Sequence, residues 1–198
     1  MSNTPQVFFR PLMPHDENRL IALYQALSPE SRFYRFQTHT EHLDESTIQE
    51  YAHRFAHIDY RHDYALAACI KQQAQEEIIG VARYMRPSEK VTTAEFAIVV
   101  RDDWHGKGVG SALMLRLCVY AYKQGVCRLY GTFVGHNEGI VRLLVRLVPQ
   151  DHLKIKIEDG EGHVCIHLKK AWLLPYSKKI GEGELLPPSH HNYEQDSN

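Results

Sequence analysis

The sequence predicts a single mixed α/β domain whose sheet is mostly antiparallel and flanked by helices. Two observations lead to this prediction. The chain has 198 residues, 43% of them hydrophobic and 24% charged, which suits one well-buried soluble domain and is short for two. Along the chain, apolar runs of strand length alternate with stretches in which apolar residues recur at helical spacing.

The first third of the chain begins with a predicted strand over residues 7–11. Apolar residues then recur at helical spacing over residues 16–27, with Asp16 placed to cap the helix. Ser28-Pro29 breaks this pattern. Residues 41–55 predict a second helix with a polar, histidine-bearing face.

The middle of the chain predicts a meander of three strands over residues 64–70, 77–85 and 92–100. A strong helix follows over residues 108–124, with Gly125 placed to end it. A strand over 128–134, a helix over 137–147 and a hairpin of strands 153–157 and 164–168 complete the domain. We expect residues 1–173 to form this one domain. Residues 174–198 are rich in Pro, Gly, Ser, His and acidic residues, which predicts a disordered tail.

Composition excludes several functions. A formal net charge of −1 gives no bulk attraction to nucleic acid or to anionic lipid. No apolar run approaches the roughly 20 residues that span a bilayer, and the N-terminus does not read as a signal peptide. The four cysteines show no C-x-x-C spacing and are expected to be buried free thiols. We therefore expect a cytoplasmic protein with no nucleic-acid or membrane partner, whose oligomeric state the sequence leaves unknown.

The most informative segment is a glycine loop between a predicted strand and a helix. After the strand, glycines occupy positions 106, 108 and 110, and the helix starts among them. Glycines let backbone N–H groups approach a ligand, and a helix start offers unpaired donors, so this pattern is typical of an anion site, most often for phosphate. The alternative is a tight turn that needs positive φ, for which one glycine would usually suffice.

Two other phosphate-binding folds fit less well. The strand before the loop ends a meander and no β-α-β unit opens the chain, which disfavours a dinucleotide-binding unit. The loop lacks the Gly-Lys-Ser/Thr ending of a P-loop.

Residues 100–111, Val-Arg-Asp-Asp-Trp-His-Gly-Lys-Gly-Val-Gly-Ser, resemble the GNAT superfamily of N-acyltransferases. They match the family pattern of Gln or Arg, two residues, Gly, one residue, then Gly or Ala, with His105 in the Gln/Arg place. Asn137 before an apolar helix also matches. Segments 9–12, 27–36, 59–66 and 79–83 resemble the acyltransferase domain of bacterial Pat-type protein lysine acetyltransferases. The resemblance spans about residues 7–170 and does not include the acyl-CoA-synthetase-like region of the large Pat enzymes.

The resemblance implies an acetyl-CoA site with a GNAT-like fold. Backbone groups of the fourth strand would meet the pantetheine arm, and Asn137 would bond it through its side chain or simply cap its helix. Lys107 would add a charge to a phosphate or remain solvated. The implied cofactor-binding residues are Ile98, Val99, Val100, His105, Gly106, Lys107, Gly108, Val109, Gly110, Ser111 and Asn137.

Glu95 is the candidate general base. An amine with a pKa of about 10.4 is protonated at neutral pH, so some group must accept its proton, directly or through water, before it attacks a thioester, and a carboxylate with a raised pKa suits this. Glu95 also matches the place where Pat-like domains carry their glutamate. The alternative is an outward-facing strand residue paired with a neighbouring Arg or Lys. Many GNAT enzymes have a tyrosine that protonates the leaving thiolate at the position where this chain has Leu144, so the general acid stays unassigned. Tyr130, a histidine or water could replace it, or the thiolate could leave unassisted.

Two further sets of residues have ordinary explanations. His53 and His57 lie four residues apart on a predicted helix and could share a metal, but no third ligand is indicated, so we expect a solvated face and no metal. Asp59 and Arg83 match the Pat-type pattern and would orient substrate or form an ion pair.

We therefore expect an acetyl-CoA-dependent N-acetyltransferase acting on a primary amine, with a protein lysine favoured over a small molecule. The alternatives are a non-catalytic acyl-CoA-binding regulatory module and a nucleotide-binding protein that uses the same loop. Nothing in the sequence identifies the acceptor.

Overall fold

The computed structural model describes residues 5–36, 44–72 and 75–180. The strands in chain order are β1 (Phe8–Pro11), β2 (Tyr64–Gln72), β3 (Gln75–Met85), β4 (Thr93–Val100), β5 (Arg128–Val134), β6 (Leu153–Glu158) and β7 (Glu161–His167). The helices are α1 (Glu17–Gln25), α2 (Pro29–Phe36), α3 (Glu45–Ala56), α4 (Val109–Lys123), α5 (Glu138–Leu147) and α6 (Lys170–Ser177).

The strands form one seven-stranded sheet in the order β1-β2-β3-β4-β5-β7-β6. Neighbours are antiparallel except β4 and β5, which run parallel because α4 carries the chain back between them. The predicted mixed fold and the β2–β4 meander are confirmed. Within the described residues, β4 and β5 pair only at Thr93, Ala94 and Glu95, so the sheet opens beyond Glu95.

Helices cover the sheet on both faces. One hydrophobic cluster joins α1, α2 and α3 to the sheet, and a second joins α4, α5 and α6 to its other face. Alternate residues of β2 serve both clusters, Leu66 entering one and Ala65 and Ala67 the other. Burial on both faces explains why β2 is a continuous apolar run rather than an alternating one.

Helix α2 is missing from the sequence prediction, which treated Ser28-Pro29 only as a break. Proline suits the first helical position because its fixed φ is helical and its missing N–H has no partner there. Ser28 Oγ accepts a hydrogen bond from Ser31 N at 3.2 Å, so the predicted break is the start of the next helix.

The two predicted helix starts differ in their capping. Asp16 does stand at the N-cap of α1 but makes no side-chain capping bond. Its carboxylate instead binds Arg10 at 2.6 Å and Arg19 at 2.8 Å. Helix α3 begins at Glu45, where Asp44 caps it through Thr47 N. The predicted start at residue 41 lies outside the described residues.

The C-terminal end carries a sixth helix that the sequence analysis did not predict. Helix α6 includes the first four residues of the predicted tail, 174–177, and residues 181–198 lie outside the described residues. Trp172, Leu173 and Ile180 are buried against the cluster around α4, which supplies the burial that local composition does not suggest. Among the described residues no helix has both the length and the apolarity needed to cross a membrane.

The final hairpin turns more tightly than the predicted strands 153–157 and 164–168 imply, because only Asp159 and Gly160 separate β6 from β7. Asp159 and Gly160 have φ of 50° and 81°, the left-handed pair of a type I′ turn that Asp-Gly favours. The four cysteines are free, as expected, but Cys127 is exposed and Cys165 only partly buried. Cys127 lies just before β5, where its neighbours leave it at the surface.

Candidate active site

A groove of about 840 Å³ opens where β4 and β5 separate. Residues Glu95 to Val100 of β4 form one wall, and Gly131, Thr132 and Phe133 of β5 line the other side. The glycine loop and α5 complete the lining together with α2 and α3. The groove therefore joins the predicted cofactor loop to the predicted base.

Two glycines of the loop are required by backbone conformation. Gly106 and Gly108 have φ of 73° and 83°, and a Cβ on either would meet nothing within 4 Å. The left-handed conformation, not crowding, therefore demands glycine at both positions. Gly110 has no positive φ, and a Cβ there would make ordinary contact with Leu143 at 3.6 Å. Alanine fits at this position, as the family pattern of Gly or Ala allows.

The start of α4 presents unpaired backbone donors to the groove. Gly108 is the N-cap residue and offers no side chain to cap the helix. The N–H of Ala112 bonds the carbonyl of Gly108 at 3.0 Å, so the amides of Val109, Gly110 and Ser111 precede the helical ladder. The first turn carries no acidic residue. These amides and the helix dipole favour an anion.

His105 and Lys107 make contacts within the protein. His105 Nε2 lies 2.8 Å from the Val100 carbonyl, and because a carbonyl only accepts, that nitrogen donates. His105 thus ties the end of β4 to the start of the glycine loop. Lys107 Nζ lies 4.9 Å from the centre of the Trp104 ring, a cation–π contact. The prediction that either side chain binds a cofactor stays a prediction.

Asp102 connects this loop to α2. Its carboxylate accepts hydrogen bonds from Ser28 N at 2.9 Å, Ser28 Oγ at 2.7 Å and Ser31 Oγ at 2.7 Å. Burial raises the pKa of Asp102, but the bonds from Ser28 and Ser31 outweigh it and hold the pKa below its usual value. An ionised Asp102 therefore fixes the start of α2 against the loop.

Asn137 borders the groove and caps α5. Its Oδ1 accepts a hydrogen bond from Ile140 N at 3.2 Å. Both interpretations of Asn137 remain compatible, because capping uses the oxygen and the amide NH₂ is a separate donor.

Glu95 lies exposed at the point where β4 and β5 separate. It pairs with Met85 on β3 and with Tyr130 on β5 in the sheet register. Leu144, at the place of the usual tyrosine, is 0% exposed and carries no proton to give. Tyr130, one of the substitutes considered from the sequence, is 42% exposed and pairs with Glu95 in the sheet register, but it is not among the residues that line the groove. The roles of Glu95 and of an acid stay predictions.

The structure adds residues that the sequence analysis missed. Tyr34 and Arg35 line the groove from α2, which was not predicted, and Arg54 lines it from α3. They join Arg83 of β3, which the sequence analysis named as a residue that would orient substrate or form an ion pair. Arg83 does not pair with Asp59: Asp59 Oδ2 lies 2.5 Å from Arg61 Nη2, and hydrogen bonds from Arg61 lower the pKa of Asp59 to about 2.

A third possible metal ligand also emerges beside the two histidines. Glu17 Oε2 lies 2.9 Å from His53 Nδ1 and 3.8 Å from His57 Nδ1. The expectation that no third ligand accompanies the histidines was wrong, because α1 packs beside α3. Both histidines are exposed, and the contact with His53 joins α1 to α3. The expectation of no metal is untested.

Comparison with known proteins places this groove in a family. The acetyltransferase (GNAT) domain matches residues 6–147 of the chain. The chain belongs to the GNAT acetyltransferase family. It is an acetyl-CoA-dependent N-acetyltransferase, as its named relatives are acetyltransferases. This GNAT protein is 27% identical to acetyltransferase PA5475 of Pseudomonas aeruginosa over 134 residues, 68% of this chain and 69% of the relative.

The Pat resemblance is confirmed as well. The GNAT chain is 29% identical to acetyltransferase Pat of Mycolicibacterium smegmatis over 140 residues, which are 71% of this chain but only 40% of Pat. The crystal structure of the GNAT domain of S. lividans PAT superposes with a TM-score of 0.68 at 27% identity, covering 81% of this chain and 89% of that one.

The fold extends to more distant GNAT enzymes. Spermidine N-acetyltransferase from Vibrio cholerae, solved in complex with CoA and spermine, has a TM-score of 0.60 at 19% identity, covering 85% of this chain and 98% of that one.

Proposed function

We propose that this acetyltransferase moves the acetyl group of acetyl-CoA to a primary amine, with a protein lysine favoured and a small amine second, and that Glu95 is the general base. One observation carries the proposal. The donor-rich glycine loop and the exposed Glu95 lie in one groove, joined by the wall of β4. The six residues from Glu95 to Val100 extend for roughly 17 Å, a span suited to an extended arm such as pantetheine.

The groove suits acetyl-CoA for three reasons. The first-turn amides of α4 can meet a pyrophosphate. Trp104 Nε1, which borders the groove, is a buried donor without a hydrogen-bond partner among the described residues. From Phe96 to Val100 the β5-facing edge of β4 has no ladder partner in the described part of the sheet, so its backbone groups can serve a ligand.

Glu95 would start the reaction. Acetyl-CoA, when bound, supplies the acetyl group as a thioester. The Glu95 carboxylate takes a proton from the ammonium, directly or through water, because the protonated amine has no lone pair to attack with. The freed nitrogen forms a C–N bond with the acetyl carbon and gives up its second proton to solvent, while the C–S bond breaks and the sulfur leaves with its electron pair. Tyr130 stands in the adjacent register position to return a proton to that sulfur.

The relatives support the class of acceptor. Homology to Pat favours the protein lysine that the sequence resemblance implies. The complex of the Vibrio cholerae enzyme with spermine supports a small polyamine as the second candidate.

The test is the rate of CoA release by the purified chain with acetyl-CoA and panels of lysine peptides and small amines. We expect Glu95→Gln to lower kcat/KM by about 100-fold or more, the usual contribution of a general base. At higher pH, where more acceptor is unprotonated, the deficit should shrink. Full turnover by Glu95→Gln would refute the assignment of the base. Acetyl-CoA binding in calorimetry without turnover on any amine would instead support the non-catalytic module.

A further inference from the structure

Three arginines surround one aromatic ring where α2 and α3 line the groove. The guanidinium carbons of Arg83, Arg35 and Arg54 lie 3.7, 5.0 and 5.8 Å from the centre of the Phe55 ring. Phe55 is 2% exposed, so it forms a fixed base for them. We call these three residues the arginine cluster.

Two members of the cluster have unsatisfied donors. Arg35 Nε and Arg83 Nε are buried without a hydrogen-bond partner among the described residues. Arg83 Nη1 meets only the Met85 sulfur, at 2.8 Å, which is a weak acceptor. Buried guanidinium donors normally have acceptors, and this pair calls for an acceptor from outside the described residues.

The described residues balance the charge of the cluster only in part, since Glu95 is the one carboxylate among them that acts on Arg83. Burial and the neighbouring Arg35 lower the pKa of Arg83 to about 9, so the guanidinium stays cationic at neutral pH but is destabilised. Among the described residues that line the groove, five are arginines and only Glu95 is acidic. An oxyanion beside Arg83 would relieve both the repulsion and the loss of hydration.

The position of the cluster places it beside the candidate base. Arg83 pairs with Ala97 of β4, and Glu95, two residues before Ala97, faces the same side of the sheet. The cluster therefore lies beside Glu95 toward β3, whereas the opening between β4 and β5 lies on the other side of β4. An anion held by the cluster would lie next to the group that is proposed to take the proton from the acceptor amine.

We propose that the arginine cluster binds a carboxylate of the acceptor, so that the preferred substrates are primary amines with a carboxylate close to the amine. Guanidinium groups bind carboxylates through two parallel N–H···O bonds, and the free Nε atoms can each supply one of them. The carboxylate could belong to a free amino acid or to an acidic residue next to a lysine in a peptide. This inference rests on the proposed function and specifies its acceptor.

The test compares acceptors that differ only in one carboxylate. Free lysine is compared with cadaverine, its decarboxylated form, and a blocked Gly-Lys-Asp peptide amide is compared with Gly-Lys-Asn. In one of the two pairs we expect kcat/KM to be at least tenfold higher for the acceptor that has the carboxylate. That pair then shows whether the carboxylate belongs to a free amino acid or to a peptide. Arg83→Gln and Arg35→Gln should each reduce the preference to less than threefold.

The matched control is Arg128→Gln, which changes an exposed arginine of β5 that does not line the groove; it should keep the preference. Equal rates within both pairs would overturn the inference. A preference that survives in both Arg83→Gln and Arg35→Gln would overturn it as well. Circular dichroism checks folding, and Arg83→Lys, which retains the charge without the planar fork, should keep part of the preference if Arg83→Gln does not fold.

A second measurement separates this inference from the proposed function. Thermal unfolding is measured in saturating CoA, which would occupy the glycine loop, with either glutarate or sodium chloride added at equal ionic strength. Glutarate should raise the Tm of the unaltered chain and of Arg128→Gln but not that of Arg83→Gln. Stabilisation without turnover on any amine would refute the proposed function alone. Turnover with neither a carboxylate preference nor glutarate stabilisation would refute the inference alone.

Discussion

The glycine loop allows stability and cofactor binding to be separated by single substitutions. Gly108 has a φ of 83° and open space around a Cβ. Gly108→Ala therefore adds no clash, and its cost is the left-handed conformation, about 1–2 kcal/mol for a residue with a side chain. For a chain of this length each kcal/mol lowers the Tm by about 2–4 °C, so we expect a loss of about 2–8 °C.

Because Gly108 is also the N-cap of α4, relief of this strain would turn the first-turn amides away from the groove. Loss of one hydrogen bond to a charged phosphate costs about 1.5–3 kcal/mol. We therefore expect the KM for acetyl-CoA in Gly108→Ala to rise by about tenfold or more. The assay is CoA release over a range of acetyl-CoA concentrations, with Tm measured on the same preparations.

Two matched variants control for strain and for size. Gly125, just after α4, has a φ of 79° and equally open surroundings, so Gly125→Ala should lose a similar Tm with an unchanged KM. Gly110→Ala, whose Cβ would make an ordinary contact at 3.6 Å, should retain both Tm and KM. The reasoning is refuted if Gly108→Ala keeps the KM of the unaltered chain, or if Gly125→Ala raises it equally.

Two other predictions concern a capping residue and a buried carboxylate. Asn137→Asp keeps the oxygen that caps α5 but loses the amide NH₂, so the Tm should hold while the KM for acetyl-CoA rises. If the KM for acetyl-CoA rises in neither Asn137→Asp nor Asn137→Ala, Asn137 serves only to cap the helix. Asp16 is 0% exposed, and although burial raises its pKa, hydrogen bonds from Arg10 hold it below the usual 3.8. A lowered folded pKa stabilises the fold above the unfolded value, so urea unfolding should show this stability lost as pH falls below about 4. Asp16→Asn, which leaves Arg10 paired only with the partly exposed Glu76, should cost about 1.5–3 kcal/mol at pH 7 and flatten that pH dependence.

Local patterns were sufficient for most of the fold. The periodic apolar residues of α4 and α5 and the β-rich runs of β2 to β5 carry their own signals, and the element order then predicts the family fold. Glu95 and the glycine loop meet in one groove because β4 leads directly from one to the other. Such sequence-adjacent parts of a site are readable before any tertiary contact is known.

The remaining parts depend on contacts between distant segments. Helix α2 begins with a proline, and its start is secured by Asp102, which lies 74 residues beyond Ser28. Helix α6 is short and is held by burial of Trp172 against other elements. The arginine cluster combines residues from α2, α3 and β3, so no local sequence pattern predicts it. His105 keeps the place of a family residue, yet its bond to Val100 is visible only in three dimensions.

The carboxylate of Asp102 has a consequence for how the two substrates influence each other. It belongs to the segment that leads into the glycine loop, and it holds the first turn of α2, the helix that carries Arg35. A rearrangement of the loop when the donor binds would therefore reposition a residue that meets the acceptor. Thermodynamic linkage makes such an effect reciprocal. An acceptor analogue should therefore change the affinity for CoA by the same factor by which CoA changes the affinity for that analogue.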